Sequence, residues 1–125
     1  MNLSGPLRYS LACRAMARRL EAGRKALLDA VDFVVAQSKA DPNAVFAGSV
    51  NYLTLAGTVV AGWQMARALL KAEERLAAGE AAAFMQAKIA TARFYGDHIL
   101  VKAPALRDTI VEGGAAVTAL PLEAF

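Results

Sequence analysis

Apolar residues recur at three- and four-residue spacing along most of the chain, the pattern of helices with one buried stripe. Cys13, Met16, Leu20, Leu27, Val31 and Val34 fall near one stripe and predict a first helix over about Leu7–Lys39. Gly23 lies on that stripe and marks a kink or a close helix contact, because an interior glycine costs about 1 kcal/mol relative to alanine. Arg14 and Arg18 lie to the side. Asp41-Pro42 is the clearest boundary: Asp is a preferred N-cap and Pro a favoured first helical residue. A second helix is therefore expected from Pro42 to about Ala77 or Ala78, with Gly79 as its stop. A third is expected from near Glu80 to about Lys102, with Met85, Ile89, Ala92, Tyr95, Ile99 and Lys102 on one side and Phe84 adjoining. Pro104 breaks that helix or opens a short fourth, on which Leu106, Ile110 and Val111 are apolar and which Gly113-Gly114 ends.

The ends read differently. Gly5 and Pro6 suggest an irregular lead-in over residues 1–6. Residues 115–125 form an apolar tail with Leu120, Leu122 and Phe125, in which Pro121 argues against more helix; a tail this apolar is expected to dock on a surface. The sum is an all-α single domain over 1–125, an up-down four-helix bundle with an apolar C-terminal tail.

Composition supports helices over strands. Alanine supplies 29 of the 125 residues, whereas Val, Ile and Thr together supply 18. Alanine is the best helix former, and β-branched residues favour strands. Charge is uneven. The net +3 divides into +5 over residues 1–25 and −2 over the rest. The basic character thus belongs to the first helix, whose plainest reading is a solvated face. Without aromatic interleaving or a recognised motif, no nucleic-acid partner is expected.

The second helix is unusual because no charged residue occurs over the 25 positions from Pro42 to Ala66. Two apolar stripes can be drawn on it. One is Val45, Tyr52, Ala56, Val59, Trp63, Ala66 and Leu70; the other is Phe46, Val50, Leu53, Gly57 and Val60. A helix apolar on nearly every side is central in a bundle, packed on another chain, or in a membrane. Its length suffices for a span, but Asn43, Ser49, Asn51, Thr54, Thr58 and Gln64 lie inside it. Burial between helices or subunits is therefore expected, and no membrane span. Tyr52 and Trp63, three turns apart on one stripe, are candidate interface anchors or core. Met1–Ser10 lacks the pattern of a secretory signal, and a cytoplasmic location is expected.

The search for chemistry is mostly negative. Cys13 and His98 are single representatives of their types, which excludes an internal disulfide and any multi-histidine metal centre. There is no Gly-rich phosphate loop, no G-x-S-x-G and no H-E-x-x-H. Gly57 and Gly62 sit inside a helical pattern and read as packing glycines. Glu73-Glu74 reads as an exposed helix end. Asp97 and His98 are neighbours that do not face each other on a helix, and His98 reads as a surface or capping side chain. Cys13 reads as a small buried residue, and Asp29 and Asp32 as partners for Arg or Lys across helices. No catalytic, cofactor-binding or metal-ligating residue emerges.

Two stretches, Asn51-Tyr52-Leu53-Thr54-Leu55-Ala56-Gly57 followed by Gly62-Trp63-Gln64-Met65-Ala66-Arg67, and Ala87-Lys88-Ile89-Ala90-Thr91-Ala92-Arg93-Phe94-Tyr95, carry a resemblance. With the Asp41-Pro42-Asn43 start, they resemble the extra C-terminal helical domain of bacterial FAD-dependent acyl-CoA dehydrogenases of the 3-methylmercaptopropionyl-CoA dehydrogenase-like subgroup. The resemblance covers roughly Ala26 to Phe125. It implies a parent flavoprotein oxidoreductase of fatty acid metabolism that converts acyl-CoA to enoyl-CoA, in which a glutamate removes the α-proton and the flavin takes the β-hydride. In such enzymes that glutamate and most FAD contacts belong to the preceding dehydrogenase body. None of Glu73, Glu74, Glu80 or Glu112 sits in the family's catalytic context. The resemblance therefore implies an accessory or assembly domain, partnered by that body or by a second subunit in a homo-oligomer, with FAD bound by the parent and not by this chain. On the same resemblance, the basic first helix faces the body or helps approach the CoA phosphates. The competing readings are a free-standing helical dimerisation module, a membrane-associated helical protein, and an autonomous enzyme built on His98.

Overall fold

Ser10 sets the first helix. Its backbone is extended and its hydroxyl accepts the N–H of Cys13 at 3.0 Å, which satisfies one of the free donors at the helix start. The computed structural model describes residues 10–125, so the expected lead-in over residues 1–6 and the expected helix start at Leu7 lie outside the described residues. Helix α1 spans Leu11–Gln37, α2 Pro42–Ala47, α3 Ser49–Ala77, α4 Ala82–His98, α5 Ala103–Glu112 and α6 Gly114–Val117. Single 3₁₀ turns occupy Leu100–Lys102 and Leu122–Ala124, and no strand occurs among the described residues. The all-α class expected from periodicity is the class observed.

Local signals placed several boundaries correctly. Asp41 accepts the Ala44 N–H at 3.3 Å, with Pro42 in the first turn of α2. Gly79 adopts φ +78° and closes α3. Its N–H donates to the Leu76 carbonyl at 3.0 Å, and the next N–H, of Glu80, donates to the Arg75 carbonyl at 3.0 Å. That pair of bonds is the Schellman arrangement, which needs a residue tolerant of positive φ.

Three boundaries depart from expectation. The second helix is divided at Gly48, because the backbone of α5 passes there: a methyl on Gly48 would lie 3.3 Å from the Ile110 Cα. The third helix starts at Ala82 and ends at His98, not at Lys102. Beyond it the chain tightens into the 3₁₀ turn before Pro104 seats the start of α5. The tail does not dock: residues 115–125 are exposed throughout. Near its root, Gly114 packs closely on Ala44 of α2, but Leu120, Leu122 and Phe125 stay largely exposed.

Contacts between helices set the directions. Cys13 near the start of α1 meets Glu73 near the end of α3, so these two run antiparallel. Gly96 lies against Met16, Leu100 and Ala103 against Gly23, and Arg107 bonds Asp29. The α4–α5 run thus follows α1 in one direction, and α5 continues beyond α4 instead of turning back beside it. The helices follow the expected order, but α5 keeps the direction of α4, so the expected up-down alternation stops at α4.

The core is built mostly from small side chains. Its largest fully buried members are Leu55, Leu69, Leu100 and Ile110, accompanied by Ala26, Ala30, Ala92 and Ala103. Leu100 is the plug. Methyls added to Gly23 and Gly62 would come within 3.1 and 2.9 Å of its side-chain carbons, so the two glycines form the hollow it fills. Fully burying a leucine contributes about 1.5–3 kcal/mol. Ile99 and Lys102, expected on the core side, are exposed because the 3₁₀ turn rotates Leu100 inward in their place.

Candidate functional site: the outward face of α3

Helix α3 presents two apolar faces, and one of them is uncovered. Leu55, Val59, Gly62, Leu69 and Ala72 point into the bundle and are buried. About half a turn away stand Val50, Leu53, Gly57 and Val60, with Phe46 of α2 before them. Val50 and Leu53 are each 75% exposed. The second of the two sequence stripes is therefore a surface of this chain, and the expected burial between helices is met on the other face alone. Gly57 is corrected with it. A methyl there would meet nothing within 4 Å, so it is not a packing glycine within this chain, whereas Gly62 is.

Beyond Val60 the outward face turns polar. Arg67 donates to Gln64 at 3.3 Å and holds its guanidinium 5.3 Å from the Trp63 ring centre. Lys71 pairs with Glu74 at 3.3 Å. A shallow open depression between these residues is lined by Gln64, Arg67, Ala68, Leu70, Lys71 and Glu74. Its lining is exposed and holds no buried polar side chain to fix a ligand. It does not fit a flavin ring system, which needs an enclosed, largely apolar pocket with a few placed polar groups. No step of flavin chemistry is assigned to these residues.

The two sequence-predicted anchors separate. Tyr52 is half-buried and packs against the core cluster. Trp63 is 51% exposed at the margin of the outward face. They share a side of α3, but Tyr52 meets the bundle and Trp63 meets solvent.

The remaining candidates are structural. Glu73 is not an exposed helix end as expected: its carboxylate accepts the Ser10 hydroxyl and, at 2.9 Å, the Cys13 thiol, tying the end of α3 to the start of α1. Burial pushes the Cys13 thiol above its ordinary value, and its hydrogen bond to Glu73 acts in the same direction. A thiol held protonated is a poor nucleophile. Asp97 pairs with Arg93 at 3.3 Å and Arg19 at 3.8 Å, while His98 is exposed and stacks on Phe94 with ring centres 4.6 Å apart. Asp29 pairs across helices with Arg107 at 3.2 Å, as its position suggested. Hydrogen bonds to Asp108 and Asp29 hold the Arg107 guanidinium above its ordinary value. Arg14, Arg18, Arg24 and Lys25 are exposed on α1. Among the described residues no group of three or more His, Cys, Asp or Glu side chains is placed to hold a metal.

By length and composition α3 is also able to cross a membrane, with a window of mean hydropathy 1.2 of which 22% is buried. Its other face carries the bundle core, and the Thr54 hydroxyl on its exposed side is satisfied by the Val50 carbonyl at 3.1 Å.

Comparison with known proteins adds the wider context. Residues 5–121 match the family described as acetyl-CoA dehydrogenase C-terminal like. A 3-methylmercaptopropionyl-CoA dehydrogenase of Ruegeria pomeroyi is 40% identical over 103 residues, which cover 82% of this chain and 18% of that protein. The chain thus spans less than a fifth of the relative's length. No solved structure matches it.

Proposed function

The chain belongs to the acetyl-CoA dehydrogenase C-terminal-like family, and from that premise we propose that it serves as the C-terminal accessory domain of an FAD-dependent acyl-CoA dehydrogenase. In this reading residues 1–125 form one domain. A preceding body binds FAD, carries the catalytic glutamate and oxidises acyl-CoA to enoyl-CoA, while this chain contributes assembly. The observation that carries the reading is the alignment itself: most of this chain corresponds to 18% of a full dehydrogenase. The uncovered face of α3 supports it, because patches of this kind mark surfaces meant for another protein. Of the two candidate anchors Tyr52 and Trp63, the exposed Trp63 is the proposed one, through which the domain meets the body or a second subunit of a cytoplasmic homo-oligomer, while Tyr52 packs on the core. Nucleic acid and a membrane span have no part in this reading.

The test is to isolate from its source cells the polypeptide that carries this sequence, using an antibody raised to it. The expected result is a species several times larger than 13.2 kDa with flavin absorbance and acyl-CoA-dependent dye reduction. A soluble 13.2 kDa species that elutes apart from any flavoprotein overturns the accessory-domain reading and leaves a free-standing interaction module.

A further inference from the structure

We propose that the seam between α1 and α4 binds a phosphate group, held between the guanidinium groups of Arg19 and Arg93. The site concerns this chain alone and does not rest on the dehydrogenase reading.

Three observations carry it. The first is an imbalance of charge. Arg19 of α1 and Arg93 of α4 share a single carboxylate, Asp97, at 3.8 and 3.3 Å. Farther along α1 the ratio is reversed: Arg107 alone meets Asp29, Asp108 and Glu112, at 3.2, 3.0 and 3.5 Å. Arg14 and Arg18, exposed on α1 close to Arg19, pair with no carboxylate among the described residues, and residues 1–9 contain no Asp or Glu. The seam therefore holds a surplus of positive charge. The second observation is an unfilled donor. The Nε of Arg93 is closed off from solvent and has no acceptor among the described residues. A buried donor without a partner is costly, and the 3.3 Å contact with Asp97 is what holds Arg93 in this pose. Turning its fork outward gives up that contact and offers Nε to an incoming oxyanion. The third is access. The stem of Arg19 lies across Gly96, where a methyl would stand 3.9 Å from its Cγ, and this brings its guanidinium to the α4 side. The side chains of Arg19, Arg93 and Asp97 are 36–41% exposed, so a small anion reaches them. Guanidinium forks match phosphate oxygens bidentately. A phosphate group carries about −1.5 to −2 charges at pH 7, which offsets the surplus better than one more carboxylate does.

Thermal melting of the 125-residue chain against inorganic phosphate, in chloride buffer of constant ionic strength, gives the test. The midpoint is expected to rise and to saturate at millimolar phosphate, as a ligand of the folded state requires. Phosphate also stabilises folded proteins by exclusion from their surface. That effect does not saturate and persists in Arg93→Gln, whereas the saturating part is expected to vanish there. Asp97→Asn separates a binding site from a purely structural ion pair. It lowers the starting midpoint, yet it removes a competing negative charge, so half-saturating phosphate is expected to fall roughly fivefold. Arg107→Gln is expected to leave the phosphate dependence unchanged. Glycerol phosphate in place of the free ion distinguishes the source: tighter binding assigns the site to a phosphate ester, weaker binding to the inorganic ion, and either agrees with the proposal. An identical phosphate dependence in the unmodified chain and in Arg93→Gln overturns it, and so does weaker phosphate binding in Asp97→Asn. Neither result touches the proposed function, whose test is the size and flavin content of the native polypeptide.

Discussion

The two sides of α3 are made of nearly the same material and do different things. Leu55 is 0% exposed and Leu53, two residues earlier, is 75% exposed. Gly62 is filled by the side chain of Leu100, whereas Gly57 faces open space. Composition does not separate these residues; only their angle about the helix axis does. Apolar character tells which residues are able to be buried, and the neighbouring helices decide which are.

The contrast is open to direct attack, beginning with its largest residues. Leu100→Ala empties the hollow between Gly23 and Gly62 and is expected to cost about 2–5 kcal/mol. Leu53→Ala removes as many atoms from the outward face and is expected to change monomer stability by less than about 0.5 kcal/mol. Urea unfolding of both variants reads the difference, and equal losses would erase the distinction between the faces. The glycines offer a pair of opposite sign. In Gly62→Ala the new methyl would stand 2.9 Å from a Leu100 carbon, an overpacking cost of about 1–3 kcal/mol that outweighs the gain of roughly 1 kcal/mol in helix propensity. Gly57→Ala meets nothing and is expected to stabilise by about 0.5–1 kcal/mol. Thermal melting gives both signs.

A smaller effect than the loss of Leu100 comes from a hydrogen bond on the inner side. Tyr95 donates its hydroxyl to the Thr58 carbonyl at 2.8 Å, and Tyr95→Phe is expected to cost about 1 kcal/mol. Burial also raises the Tyr95 phenol above its ordinary 10.0. The folded state therefore keeps the proton longer than the unfolded state does. This contribution is complete below pH 10.0 and is lost as pH rises through the raised folded value. Urea unfolding as a function of pH is expected to fall more steeply above that point in the unmodified protein than in Tyr95→Phe.

What the sequence makes legible follows the range of the interaction. Asp41 and Gly79 announce helix ends because a cap and a Schellman turn are local events, complete within six residues. Gly23 is legible as a close contact because a glycine on an apolar stripe needs a reason. The phase of α3 is not legible, because a helix apolar on nearly every side gives periodicity nothing to choose between; the stripes drawn on it omit Leu55 and Leu69, two of its most buried residues. Glu73 looks like a solvated end until Ser10 and Cys13 arrive from more than 50 residues away. Leu100 escapes for a similar reason, since the turn that rotates it inward answers to Pro104 and to the hollow it enters. At the candidate site, the exposed aromatic Trp63 and the charge-free run are visible in the sequence, but which of two apolar stripes faces outward is not.

The plug between Gly23 and Gly62 also imposes an order on synthesis. Gly23 leaves the ribosome first, Gly62 next, and Leu100 last. At about 5–20 residues per second, the hollow, complete once Gly62 is made, waits roughly 2–8 seconds for the side chain that closes it. During that interval the groove-lining faces of α1 and α3 are made but unsealed. A nascent chain in this state is a substrate for any chaperone that holds exposed apolar surface, and the emergence of Leu100 from the ribosome is the event that releases it.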